Sequence, residues 1–170
     1  MKKIILTNGL ISGLIISVFL LCSMAYCYVY NNFNGSMVVG YSAMILAFSL
    51  VFVGVKNFRD KENAGIISFG KAFQIGFLIA LIASTMYVIT WLVDYYFFIP
   101  DFMDKFCSQA IETAKANGAS TAEIKAQTAE METYKEMYKN PFGVIFLTYM
   151  EILPVGLVVS LIVALILKRK

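Results

Sequence analysis

Four long apolar runs organise this chain: Ile4–Tyr30, Met37–Val55, Ala72–Ile99 and Phe142–Leu167. Each is long enough to cross a hydrocarbon core as a helix, which takes about 20 residues. The pattern therefore predicts four membrane spans. Residues 100–141 follow a different period and read as a helical hairpin. Asp101 is placed to cap a first helix running to about Asn117, Gly118 ends it, and Ser120 with Glu123 forms a capping-box pattern for a second. Phe102, Phe106, Ile111 and Ala114 would share one face of the first helix, and Ile124, Met131, Tyr134 and Tyr138 one face of the second. Asn140-Pro141 breaks the second helix before the fourth span. Such a hairpin would lie on the membrane surface, cap the bundle, or offer a docking surface to another protein.

Composition agrees with the pattern. Hydrophobic residues make up 59% of the chain and charged residues 15%, where soluble domains carry about a quarter charged. The net charge of +3 reflects orientation, because nine of the 14 Lys and Arg flank the same side of a four-span arrangement. These are Lys2, Lys3, Lys56, Arg59, Lys61, Lys71, Lys168, Arg169 and Lys170. By the positive-inside rule both termini are expected to be cytoplasmic and the hairpin outside. Tyr26, Tyr28, Tyr30, Tyr41, Tyr95, Tyr96, Phe97, Phe98, Tyr138 and Phe142 gather at the outer ends, where aromatic rings anchor. Lys56 and Asp60 are spaced for an i,i+4 pair if the second helix continues past the membrane. Lys2-Lys3, an apolar run and Ser23-Met24-Ala25 resemble a secretory signal. The apolar run continues through Tyr30, which favours a retained helix.

Small residues recur every four positions in each span: Gly9, Gly13 and Ser17; Ala43 and Ala47; Gly76, Ala80 and Ser84; Gly156, Ser160 and Ala164. That spacing puts them on one face and lets helix backbones approach closely, within one bundle or between two copies.

Glu151 breaks the apolar pattern. It stands in the middle of the uncharged run from Phe142 to Leu167, three residues before Pro154. Placing an ionisable group in hydrocarbon costs roughly 2.5–3.5 kcal/mol on insertion scales, so such a residue is expected to face protein or a water-filled cavity. Asp94 is the second carboxyl inside a span. Counting inward from the outer ends at about 1.5 Å per residue puts Glu151 about 14 Å and Asp94 about 9 Å deep, within a turn of one another. A shared polar pocket with Thr90 and Thr148 follows as an expectation. No Lys or Arg lies inside a span to neutralise either acid, so the uncharged form is the cheaper one to bury. Pro154 has no N–H, which leaves the Met150 carbonyl free beside Glu151. Glu151 then either hydrogen-bonds across to another helix, binds a proton or small cation during transport, or meets a partner.

Other chemistry is weakly supported. The chain has no histidine, and its three cysteines, Cys22, Cys27 and Cys107, form no close-spaced pair, so neither a metal nor a haem cofactor is expected. A Cys27–Cys107 bridge is one alternative to free thiols. No nucleotide fingerprint or catalytic set is visible, no nucleic-acid patch stands out, and the chain is not expected to be an enzyme.

Several strings together are distinctive: Gly40-Tyr41-Ser42-Ala43-Met44-Ile45, Gly54-Val55-Lys56-Asn57-Phe58-Arg59-Asp60, Ser68-Phe69-Gly70-Lys71-Ala72-Phe73 and Glu151-Ile152-Leu153-Pro154-Val155-Gly156-Leu157. They resemble a bacterial family of small integral membrane proteins known as a domain of unknown function, and the resemblance covers nearly the whole chain. It implies a four-span protein and supplies no catalytic residue. The expectation is a single membrane domain over residues 1–170: an all-α, four-transmembrane-helix bundle with an extracytoplasmic hairpin. Its partners would be the lipid bilayer and a second copy or another membrane protein. The expected role is a non-enzymatic accessory or structural component, the alternative a small transporter or channel subunit using Glu151 with Asp94.

Overall fold

A computed structural model describes residues 1–33 and 36–169; Lys170 and the middle of the first connection lie outside the described residues. The described residues are mostly helical, in six α-helices: α1 (Lys2–Tyr30), α2 (Met37–Asn57), α3 (Phe69–Phe97), α4 (Phe102–Ala116), α5 (Thr121–Tyr138) and α6 (Pro141–Leu167). Four of the six, α1, α2, α3 and α6, are long and apolar enough to cross a membrane. Local chemistry sets their starts. Ser36 and Ser68 each accept a hydrogen bond from the third backbone N–H of the helix that follows, and Asn140 accepts one from Phe142 N at 2.9 Å with Pro141 in the first turn.

The long helices pack through the small-residue seams. α1 and α3 run parallel: a Cβ on Gly9 would meet Ile82 Cβ at 2.9 Å and one on Gly13 would meet Met86 Cβ at 2.9 Å. One turn further, Ser17 Oγ lies 3.0 Å from Thr90 Oγ1. α6 runs antiparallel to α3, with Gly76 against Ser160 and Gly156 against Ala80. α2 fills the remaining side, where Phe48 and Val51 are buried, and Ser12 on α1 donates to its Ala47 carbonyl at 2.7 Å. Leu46, Ile89, Phe142 and Ile166 point outward. An apolar exterior of this extent suits lipid and would promote aggregation in water.

The two ends of this assembly differ. At one, the Met1 ammonium pairs with Glu62, and Ile67 and Arg169 exchange backbone hydrogen bonds at 3.0 and 2.9 Å. Both termini and the α2–α3 connection therefore gather there. Past Asn57 the backbone loosens into a π-helical turn, Phe58–Glu62. That turn corrects the expected Lys56–Asp60 pair: Asp60 instead accepts from its neighbour Arg59 at 2.6 Å, because the wider winding removes the i,i+4 alignment.

At the other end α4 and α5 pack on each other and dock against the long helices. The Ser120–Glu123 capping box forms, with both of its hydrogen bonds present. Asp101 does not cap α4 with its side chain. Its carboxylate is drawn away by Tyr28 of α1 and Lys105, each at 2.7 Å, and a charged partner outcompetes a backbone amide. Phe102 packs edge-on to Trp91 at 5.1 Å, and Tyr95 to Tyr138 at 5.2 Å. Met103 and Cys107, rather than the Phe102–Phe106 edge, form the buried centre of α4. All three cysteines are free thiols.

Candidate functional site

Both intramembrane carboxyls are held on long helices, and the helix register separates them. Thr85 lies 2.8 Å from Tyr149, and the contacts Ala80–Gly156 and Gly76–Ser160 continue the same antiparallel register. By that register Glu151 is level with Ser84, whereas Asp94 is level with Pro141, the first residue of α6. About ten residues of helix lie between the two levels, or roughly 15 Å at 1.5 Å per residue. The expectation that Glu151 and Asp94 lie within one turn of each other in depth is therefore corrected. Counting inward from Pro100 assumed that α3 reaches the membrane edge there, but the helix stops at Phe97 and the docked hairpin covers its end.

Their surroundings differ as well. Asp94 is buried, 7% exposed, and turns toward α1, where it acts electrostatically on Tyr28. Its Oδ2 is fully enclosed and has no hydrogen-bond donor. With Leu21, Ile89, Thr90, Val93 and Phe98 it lines a groove of about 420 Å³. Glu151 is exposed on the outward side of α6, with Met150, Pro154 and Val158 also exposed around it. Its charge reaches Tyr87 of α3 and Tyr138 of α5. The two carboxyls thus share no pocket within one copy of the chain.

The other candidate residues take structural places. Thr148 is buried and donates to the Val144 carbonyl of its own helix at 2.7 Å. Thr90 Oγ1 lies 2.9 Å from the Met86 carbonyl and 3.0 Å from Ser17 Oγ, tying α3 to α1. Pro154 is exposed, so the Met150 carbonyl that it leaves without a donor opens on the same outward side as Glu151. Gly9 and Gly13 face α3, and Gly76, Ala80, Gly156 and Ser160 form the α3–α6 contact.

Two clusters escaped the sequence reading. Tyr28, Asp101 and Lys105 join α1 to the hairpin, with the Lys105 ammonium 4.3 Å from the Tyr28 ring centroid. Trp91, Tyr95, Phe102 and Tyr138 form a chain of ring contacts where the hairpin docks, and burial pushes the Tyr138 hydroxyl up to about 12. Neither carries a sequence signal, because both depend on how the hairpin folds back. The Thr85–Tyr149 bond was legible in principle as two polar residues at matching depth on facing spans.

Four long apolar helices with an apolar exterior define a multi-pass α-helical membrane protein. The chain belongs to the DUF4199 family, described as proteins of unknown function, whose family model matches residues 7–169. No curated protein and no solved structure matches the chain.

Proposed function

We propose that this protein is a non-enzymatic structural or accessory component of the bacterial inner membrane, with both termini cytoplasmic, and that it associates laterally with a second copy through the outward side of α6. The observation that carries this reading is the exposure of Glu151. An exposed carboxyl inside a span lacks water, and beyond the Tyr87 and Tyr138 side chains that its charge reaches, covering it with further polar groups is favourable.

A second copy supplies those groups. Copies inserted with the same orientation hold Glu151 at the same depth, so a two-fold axis along the membrane normal brings the two carboxyls together. Each neutral carboxyl donates one O–H and accepts through its carbonyl oxygen, and the freed Met150 carbonyl adds a further acceptor. Val158, Leu161 and Leu165 continue the same exposed stripe and give the apolar remainder of a contact. The small-residue seams, in contrast, are already occupied inside one chain. The depth difference between Glu151 and Asp94 weighs against a transport mechanism in which both bind one ion.

Disulfide crosslinking tests this. With Cys22, Cys27 and Cys107 replaced by serine, Val158→Cys should crosslink between copies in membranes, and Ile45→Cys on the exposed side of α2 should not. Glu151→Gln should retain the crosslink and Glu151→Leu should lose most of it. Monomer alone at every protein density, or equal crosslinking in the Leu variant, would sink the proposal.

A further inference from the structure

We propose that the end of the bundle where both termini gather binds an anionic phospholipid, with the headgroup phosphate held by Lys56, Arg59, Lys168 and Arg169. This goes beyond lateral association and uses a different part of the molecule.

Tertiary structure assembles this cluster from segments distant in the chain. Lys56 lies in the last turn of α2 and Arg59 in the π-helical turn that follows. Ala64 and Gly65, both with positive φ, turn the chain back, and Ile67 then exchanges backbone hydrogen bonds with Arg169 at 3.0 and 2.9 Å. That bridge ties Lys168 and Arg169, just past α6, to the α2–α3 connection. Both α2 and α6 run toward this end and meet where Gly156 faces Phe48, so their basic ends emerge side by side. Asp60 registers the convergence, since Lys56 and Arg169 act on it electrostatically in addition to Arg59.

The chain does not neutralise these cations itself. Asp60 and Glu62 are the only acids in the segments that form this end. Arg59 takes Asp60 through Nε at 2.6 Å, and the Met1 ammonium takes Glu62. A guanidinium bonded through Nε keeps four further N–H donors. Lys56, Lys168 and Arg169 are exposed, and none has an acidic partner among the described residues. The π-helical turn contributes to this, because it withdraws Asp60 from Lys56. Membrane orientation requires only a surplus of Lys and Arg on one side, wherever in the segments they fall. It does not require the C-terminal pair to be hydrogen-bonded into the α2–α3 connection. Like charges drawn together repel, and an anion between them turns that cost into attraction.

Position identifies the anion as a lipid. Val53 on α2 and Ile166 on α6, each three residues before a cation of the cluster, are exposed on the apolar exterior. A headgroup phosphate at the cluster therefore has its acyl chains beside these side chains. Its oxygens accept from the guanidinium groups in pairs and from the lysine ammonium groups singly. Each Lys or Arg at a membrane surface strengthens binding of an anionic lipid about fivefold. Free phosphate has the same head chemistry and lacks the chains.

The test uses the full-length protein in a neutral maltoside detergent, with phosphatidylglycerol as probe and bound lipid counted by native mass spectrometry. Phosphatidylglycerol should bind saturably, about tenfold or more tightly than phosphatidylcholine with the same acyl chains, and more weakly as salt rises. Lys56→Gln combined with Arg169→Gln should weaken it about tenfold or more, at about fivefold for each cation removed. Arg169→Gln alone leaves the backbone bridge to Ile67 in place and should weaken binding about fivefold, which covers the case in which the double variant does not fold. Lys2→Gln combined with Lys3→Gln removes the same charge from the same end and should weaken binding about twofold or less, since neither lysine belongs to the cluster. Glycerol 3-phosphate, a head without chains, should not displace the lipid at equal concentration. Equal binding of phosphatidylcholine, or unchanged binding in Arg169→Gln, overturns the proposal. So does an equal loss in the Lys2 and Lys3 variant, the mark of a diffuse belt of charge, and so does displacement by glycerol 3-phosphate, the mark of a free-phosphate site.

Discussion

Replacing Gly156 by alanine should separate α3 from α6. A Cβ built there lies 2.8 Å from Ala80 Cβ and 3.1 Å from Phe48 Cζ. Carbon atoms rest at about 3.5–4.0 Å, so the two helices would have to part by about 0.7–1.2 Å at this crossing. Ala80 Cβ is fixed to the backbone and has no rotamer by which to yield. Overpacking of this kind costs about 1–3 kcal/mol, which lowers the folded-to-unfolded ratio by about 5- to 150-fold. Gly40→Ala is the matched control, because a Cβ there meets nothing within 4 Å and alanine is the better helix former by about 1 kcal/mol in water. Equilibrium unfolding in mild detergent should therefore move the two variants in opposite directions. Adding Ala80→Gly to Gly156→Ala should recover part of the loss. If Gly156→Ala proved as stable as Gly40→Ala, the close α3–α6 approach would be wrong.

Three further outcomes follow from the hairpin. The Asp101 carboxyl is held below the usual carboxylate range, first by its bond to Lys105 and then by Tyr28. A carboxyl lowered on folding stabilises above its unfolded value and loses that contribution as pH falls through the folded one, so hairpin docking should weaken only in acid. Trp91 emission, quenched or shifted by its contact with Phe102, should report this, and Asp101→Asn should flatten the acid response. Cys107 is buried, and burial pushes its thiol up, so a maleimide should label it slowly in the docked state and faster once Tyr28→Phe loosens the hairpin. Ser120→Ala should cost about 1 kcal/mol locally, seen as faster amide exchange in the first turn of α5 and little change in α6.

The four long apolar helices and the break at Asn140-Pro141 were legible because each rests on local causes: run length, capping side chains and proline. The Ser120–Glu123 box was legible for the same reason, its partners being three residues apart. The small-residue spacing showed that helices would approach closely, but the identity of each neighbour, α1 against α3 and α3 against α6, belongs to tertiary structure. Asp101 shows where local reasoning gives way, since its capping role yields to Tyr28, which is distant in the chain. Glu151 and Asp94 show it most clearly. Sequence alone marked both as carboxyls at membrane depth, a statement about composition along one axis. Which way each faces, and at what height relative to the other, depends on helix rotation and register, and these are set by side-chain packing between segments far apart in sequence. That packing buried Asp94 against α1 and left Glu151 exposed on α6.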